Sequence, residues 1–173
     1  GILTEETFQI IFVDTPGIHR PLHKLGEIMV SRATNAIPEG DVVLFMVDVS
    51  VKPQKEDRLI ADMLEARTDA PTILVLNKMD LLEPEEVQVH SEAYWEIASF
   101  YDEWMMTTAT KGVNLGELLE RIVARLPEGP RYYPQTYITD QTERQIVAEL
   151  IREQVLRHTY HEVPHSVAVV VEE

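Results

Sequence analysis

The chain has 173 residues, of which 45% are apolar and none is cysteine, and 15 Lys and Arg against 30 Asp and Glu give a net charge of -15. That length suits one good core or one domain plus a smaller module. The composition excludes disulfides, thiolate chemistry and membrane-spanning runs. It leaves nucleic acid and anionic lipid repelled in general, so any RNA contact must be local.

Phe8 to Val13 reads as a strand paired with the short stretch before it, and it runs into Asp14-Thr15-Pro16-Gly17. A carboxylate at a strand end can hold Mg²⁺ through a water, and a glycine just beyond lets a backbone N–H approach a phosphate oxygen. Leu22, Leu25, Ile28, Met29, Ala33 and Ala36 recur at helical spacing, which predicts an amphipathic helix over Leu22 to Ile37. Asp41 to Asp48 reads as a strand buried on both faces, and Pro53 opens a helix with a stripe of Leu59, Ile60, Met63 and Leu64.

Thr72-Ile-Leu-Val-Leu-Asn-Lys-Met-Asp80 is a second doubly buried strand that ends in Asn77-Lys78-Met79-Asp80. Ligands of open α/β sheets bind beyond such carboxyl ends. A carboxylate there can accept from N1 and the exocyclic amine of guanine, where adenine offers no matching pair. Asn77 can bond the base or neighbouring loops, and Lys78 can lay its alkyl stem along the base. The same tetrapeptide also suits an ordinary turn.

Pro84 starts the next helix, with Val87, Tyr94, Ile97 and Ala98 on one stripe, and Trp104 to Met106 is a brief strand leading into Thr107-Thr108-Ala109-Thr110-Lys111-Gly112. Such a loop can present the Ala109 N–H to a guanine oxygen. Asn114 and Glu117 predict an N-cap and capping box for a helix burying Leu118, Leu119, Ile122, Val123 and Leu126. Three prolines and a glycine in 127–134 mark a linker. Beyond it, Asp140 to Glu143 caps a helix bearing Ile146, Val147, Leu150, Ile151 and Val155, followed by a strand over Ser166 to Val171.

Asp14 to Gly17, Asn77 to Asp80 and Thr108-Ala109 occur in order, each at the end of a predicted strand. This ordered set resembles the GTPase domain of the P-loop superfamily. From Tyr133 onward, Tyr133-Pro-Gln-Thr-Tyr-Ile-Thr-Asp140, Ala148 to Glu153 and His161 to Val169 are similar to the opening of the RNA-binding domain of the Era branch of bacterial GTPases. The resemblance implies an α/β fold, a mostly parallel sheet flanked by helices, followed by the start of an α+β KH-type domain. The expected organisation is a GTPase domain over 1–126, a linker over 127–134, and part of the KH-like domain over 135–173. The phosphate-cradling loop and the switch threonine are expected upstream of Gly1, and the Gly-x-x-Gly loop of a KH domain downstream of Glu173, so the chain reads as an interior portion, inactive by itself.

The resemblance also implies roles. Asp14 would hold Mg²⁺ through water, and Gly17 would offer its N–H to the γ-phosphate. Thr15, Pro16 and Ile18 would belong to the switch, with Leu22 to Ile37 moving with it. Asn77, Lys78, Asp80, Thr108 and Ala109 would contact the base of GTP or GDP. Ile18 stands where Ras-like proteins carry the glutamine that orients water, and an isoleucine can neither donate nor accept, so slow intrinsic turnover is expected. The implied partners are guanine nucleotide, small-subunit ribosomal RNA and the 30S subunit, with peripheral contact to the inner face of the membrane, for a cytoplasmic monomer. His158, His161 and His165 show no ligand-like period and read as surface histidines, while His19 and His23 flank the expected switch and carry no catalytic role by position alone. Arg144, Arg152 and Arg157 suit either RNA contact or a solvated helix face, and the solvated face is the favoured reading.

Overall fold

The computed structural model describes residues 1–14, 40–67, 69–158 and 169–171. Thr15, Pro16, Gly17, Ile18, His19 and His23, the helix expected over Leu22 to Ile37, and His161 and His165 all lie outside the described residues. So does most of the strand expected over Ser166 to Val171, whose described residues, 169–171, carry no strand. Contacts divide the chain into two units, Gly1–Phe12 with Arg131–Glu173, and Val13–Pro130.

The larger unit is a parallel sheet of β3 (Val43–Asp48), β4 (Thr72–Asn77) and β5 (Glu103–Met106), in the order β3-β4-β5. α1 (Lys55–Arg67), α2 (Pro84–Ile97) and α3 (Leu115–Val123) alternate with the strands. Thr72 through Leu76 of β4 are all buried. Successive side chains point to opposite faces, so Ile73 and Val75 on one face and Leu74 and Leu76 on the other make β4 the strand covered on both sides that its run of Ile, Leu and Val predicts. Leu74 and Leu76 share one core with Phe45 and Val47 of β3, Ala61 and Leu64 of α1, and Tyr94 of α2 with Ala98 just beyond it.

β3 departs from expectation: Phe45 and Val47 are buried, but Met46 between them is 52% exposed. The strand lies at the edge of the described sheet, where only its core face is fully packed.

Helix starts use other groups than the spacing predicted. Asn114 does precede α3, in a left-handed conformation (φ 62) that asparagine tolerates. Its side chain turns back, Nδ2 donating to the Met106 carbonyl at 2.8 Å, and Glu117 pairs with Arg121 instead of closing a capping box. At α2, Pro84 fills the first position, and the Glu83 N–H donates to Glu86 Oε2 at 3.2 Å.

The smaller unit holds an antiparallel pair, β1 (Ile2–Thr4) and β2 (Gln9–Ile11). The predicted pairing is present and runs one pair further, the Phe12 N–H donating to the Gly1 carbonyl at 2.7 Å and the Gly1 amine to the Phe12 carbonyl at 2.9 Å, but Phe12 and Val13 are 42% and 69% exposed. A two-stranded ribbon has little to pack against, so the stretch ahead of Asp14 is not a buried strand end. Gln9 ties this hairpin to the later chain. Its Oε1 accepts from the Tyr132 and Tyr133 N–H groups at 2.9 Å each, and its Nε2 donates to the Tyr133 carbonyl at 2.9 Å.

α4 (Glu143–His158) is capped by Thr142 and Gln145 rather than by Asp140 and Glu143. The Thr142 N–H donates to Gln145 Oε1 at 2.9 Å, and the Gln145 N–H to Thr142 Oγ1 at 3.4 Å, a Thr-x-x-Gln capping box two residues later than predicted. Val147, Leu150 and Ile151 on this helix are 42%, 56% and 45% exposed.

Candidate functional site

β4 delivers Asn77 to the carboxyl edge of the sheet, and the chain then turns sharply. Lys78 takes φ 65 and ψ 31, a left-handed conformation that is uncommon for a residue other than glycine, and Met79–Leu81 form a single 3-10 turn. Strain of this kind clusters where geometry serves a purpose. Beside it, β5 ends at Met106, and Thr107 continues the ladder by donating its N–H to the Leu76 carbonyl at 2.9 Å. Two adjacent parallel strands thus bring the Asn77 to Asp80 turn and the Thr107 to Lys111 loop to one edge.

Asn77 joins the two loops. Its Oδ1 accepts from Thr107 Oγ1 and from the Ala109 N–H, each at 3.1 Å, while the Met79 N–H reaches the Thr107 carbonyl at 3.2 Å. Of the two options for Asn77, the loop contact is the one present. The Ala109 N–H expected to face a guanine oxygen is engaged by Asn77, and it must be shared or released to serve a base. Thr108 is buried, and its hydroxyl makes no hydrogen bond of good geometry among the described residues.

Asp80 is exposed, with Oδ2 at 2.9 Å from Lys111 Nζ. The hydrogen bond from Lys111 holds its carboxyl below the ordinary aspartate value of 3.8, outweighing the opposing effect of desolvation, and its own backbone and the Thr108 hydroxyl nearby add to the lowering. The group that would accept two donors is therefore kept ionised.

Lys78 Nζ lies 2.6 Å from Asp48 Oδ2. Desolvation alone would push the Asp48 carboxyl up; hydrogen bonds from Lys78 and from the Ser50 side chain and backbone more than offset it and leave it lowered. Asp48 was not singled out by sequence reasoning. The one available signal was an acidic residue closing the apolar run Asp41 to Asp48.

Asp14 is exposed and belongs to the larger unit. Among the described residues, no group of three His, Cys, Asp or Glu could hold a metal. His158 is exposed in the last turn of α4, Arg144 is exposed, and Arg152 and Arg157 pair with Glu149 and Glu153. A buried histidine outside the expected set, His90 of α2, places Nδ1 2.8 Å from the Val49 carbonyl, which requires the proton on Nδ1.

A family model described as 50S ribosome-binding GTPase matches residues 1–78. A protein named GTPase Era from Alkaliphilus oremlandii is 46% identical over 168 residues, 97% of this chain and 56% of the relative. A solved structure described as Era in complex with MgGDPNP and nucleotides 1506–1542 of 16S ribosomal RNA superposes with a TM-score of 0.90 at 36% identity, covering 100% of this chain and 59% of the other. An Era variant from Aquifex aeolicus bound to GDP·AlF4⁻ gives 0.85 at 36% identity, covering 95% of this chain and 56% of the other. The chain spans somewhat more than half the length of the relatives it matches.

Proposed function

Over the 168 residues it shares with them, the chain belongs to the Era family of GTPases, and from that membership we propose that the intact protein binds guanine nucleotide with Mg²⁺, hydrolyses GTP, and binds small-subunit ribosomal RNA in assembly of the 30S subunit. The observation that carries the reading is the joint made by Asn77 between the Asp80 turn and the Ala109 loop at the carboxyl edge of β4 and β5. It sets an ionised carboxylate beside a backbone donor, the pair that a guanine edge requires.

Asp80 accepts from N1 and the exocyclic amine of the base. Ala109 turns its N–H toward the base oxygen, Thr108 lends its hydroxyl to the carboxylate, and the Lys78 stem lies along the base. An adenine would offer Asp80 no matching donor pair while still desolvating it, and that penalty is the source of selectivity. Gly17 offers its N–H to the γ-phosphate, and Thr15, Pro16 and Ile18 form the segment that answers to nucleotide state. The single exposed carboxylate of Asp14 fits a Mg²⁺ that keeps its waters and is bound jointly with substrate phosphates, rather than one held in an all-protein cage. When bound, the ion neutralises charge on the phosphate oxygens.

The wording of the family model points to the large subunit, but that match ends at residue 78, whereas the likeness to Era continues through the later unit. This supports the small subunit as partner. Among the described residues no helix is long and apolar enough to cross a membrane; we read the intact protein as a cytoplasmic monomer with peripheral membrane contact. The decisive experiment titrates the intact protein with fluorescent GDP and ADP. GDP binds more tightly if Asp80 reads the base; equal affinities overturn the assignment.

A further inference from the structure

We propose that Asp48 is a positioning residue for guanine-nucleotide binding, holding Lys78 so that the Asn77 to Asp80 turn is set before the base arrives. The inference rests on the base-site reading above and adds a residue to it from a neighbouring strand.

In the β3–β4 register Asp48 stands opposite Asn77, so its carboxylate reaches the turn from one strand away at the same carboxyl edge. Both ends of the residue are fixed. Its Oδ1 accepts from the Ser50 N–H at 3.0 Å and from Ser50 Oγ at 2.5 Å, and its carbonyl accepts from the buried Tyr94 hydroxyl at 3.0 Å. The Val49 N–H donates to the Asn77 carbonyl at 3.0 Å, which locks the backbone on either side. With Oδ1 occupied, Oδ2 is left facing Lys78 Nζ at 2.6 Å.

Lys78 is the residue in the turn that needs an external hold. It is left-handed, which its own side chain does nothing to favour, and a free lysine stem would sample many rotamers and lose them on binding. Anchoring the ammonium in advance removes that ordering from the binding step. Lys78 and Asp48 side chains are 52% and 36% exposed, so the pair is open to water and contributes little to stability. An ion pair with so little effect on the fold, placed on the strained residue of a base-reading turn, acts on binding.

The test uses the intact protein and measures affinity for fluorescent GDP together with the thermal midpoint. Asp48→Asn should bind GDP about tenfold more weakly with an unchanged midpoint. Asp48→Glu, which keeps the carboxylate, should recover most of the affinity. In a Lys78→Ala background Asp48→Asn should cost nothing further, because the group it positions is already gone. The proposal is overturned if Asp48→Asn leaves GDP affinity unchanged, if its effect simply adds to that of Lys78→Ala, or if affinity and midpoint fall together. Asp80→Asn serves as the control. If it weakens GDP relative to ADP while Asp48→Asn is silent, only this inference fails; if it too is silent, the base-site reading fails with it.

Discussion

Asp80 shows how a single side chain is prepared for selectivity. The hydrogen bond from Lys111 depresses its pKa, so the contribution of the charged form is present above the ordinary value of 3.8 and is lost only as pH falls through the lower folded value. Across the neutral range the carboxylate is ionised, and guanine recognition through it should not vary with pH. Asp80→Asn exchanges one acceptor oxygen for a donor amide, which faces the donors of the base edge. In the intact protein it should reduce the preference for GDP over ADP by at least about tenfold, with circular dichroism and thermal midpoint unchanged. A variant that no longer folds would make Asp80 a structural residue. The identity of this residue was legible because its chemistry is carried by its own carboxylate. The partners were not: Thr107 and Asp48 enter the site only through strand register, and neither was marked by the spacing that exposed Asn77 to Asp80.

At the scale of elements, β4 is where the fold and the site share atoms. Leu76 is fully buried, immediately precedes Asn77 and lies in the same core as Phe45, Val47 and Tyr94. Leu76→Ala should cost about 2–5 kcal/mol in chemical denaturation, the usual range for a buried leucine whose site collapses incompletely. A loss below about 1 kcal/mol would mean that the site can relax far more than its packing suggests. The strand itself was readable because an unbroken Ile, Leu and Val run fits burial on both faces. Helix starts were less readable, since several polar residues near each start compete for the same orphan N–H groups. Asn114 lies at its predicted cap position yet spends its amide on Met106, and the box at α4 forms on Thr142 and Gln145. Spacing alone does not say which side chain the turn will point inward. β3 was overread for a related reason, because an apolar run predicts burial but not that only one face is packed, which leaves Met46 52% exposed.

At the scale of the molecule, charge decides more than any one contact. Proline and glycine spacing predicts a linker over 127–134, and the division of the chain into units falls between Pro130 and Arg131. That Gly1–Phe12 groups with the later chain could not be read from sequence, because the ties are Gln9 to Tyr132 and Tyr133, Arg131 to the Glu5 and Glu6 carbonyls, and the Ile2 N–H to the Ile138 carbonyl, all between residues more than a hundred positions apart. The described arginine pairs bind acids already: Arg121 holds Glu103 and Glu117, Arg125 shares Glu103, and Arg152 and Arg157 hold Glu149 and Glu153. With 30 acids to 15 bases, carboxylates exceed the cations available to pair with them. Salt acts on both populations, weakening exposed pairs worth about 0–1 kcal/mol each and relieving repulsion among the excess acids. At a net charge of -15 the second effect should prevail. The thermal midpoint of this chain should therefore rise between about 10 mM and about 0.3 M NaCl, as the screening length falls below the spacing of surface charges. Scanning calorimetry at the two concentrations checks it. A midpoint that fell with salt would show that the arginine pairs outweigh the acidic excess, and that the acids are spaced widely enough to ignore one another.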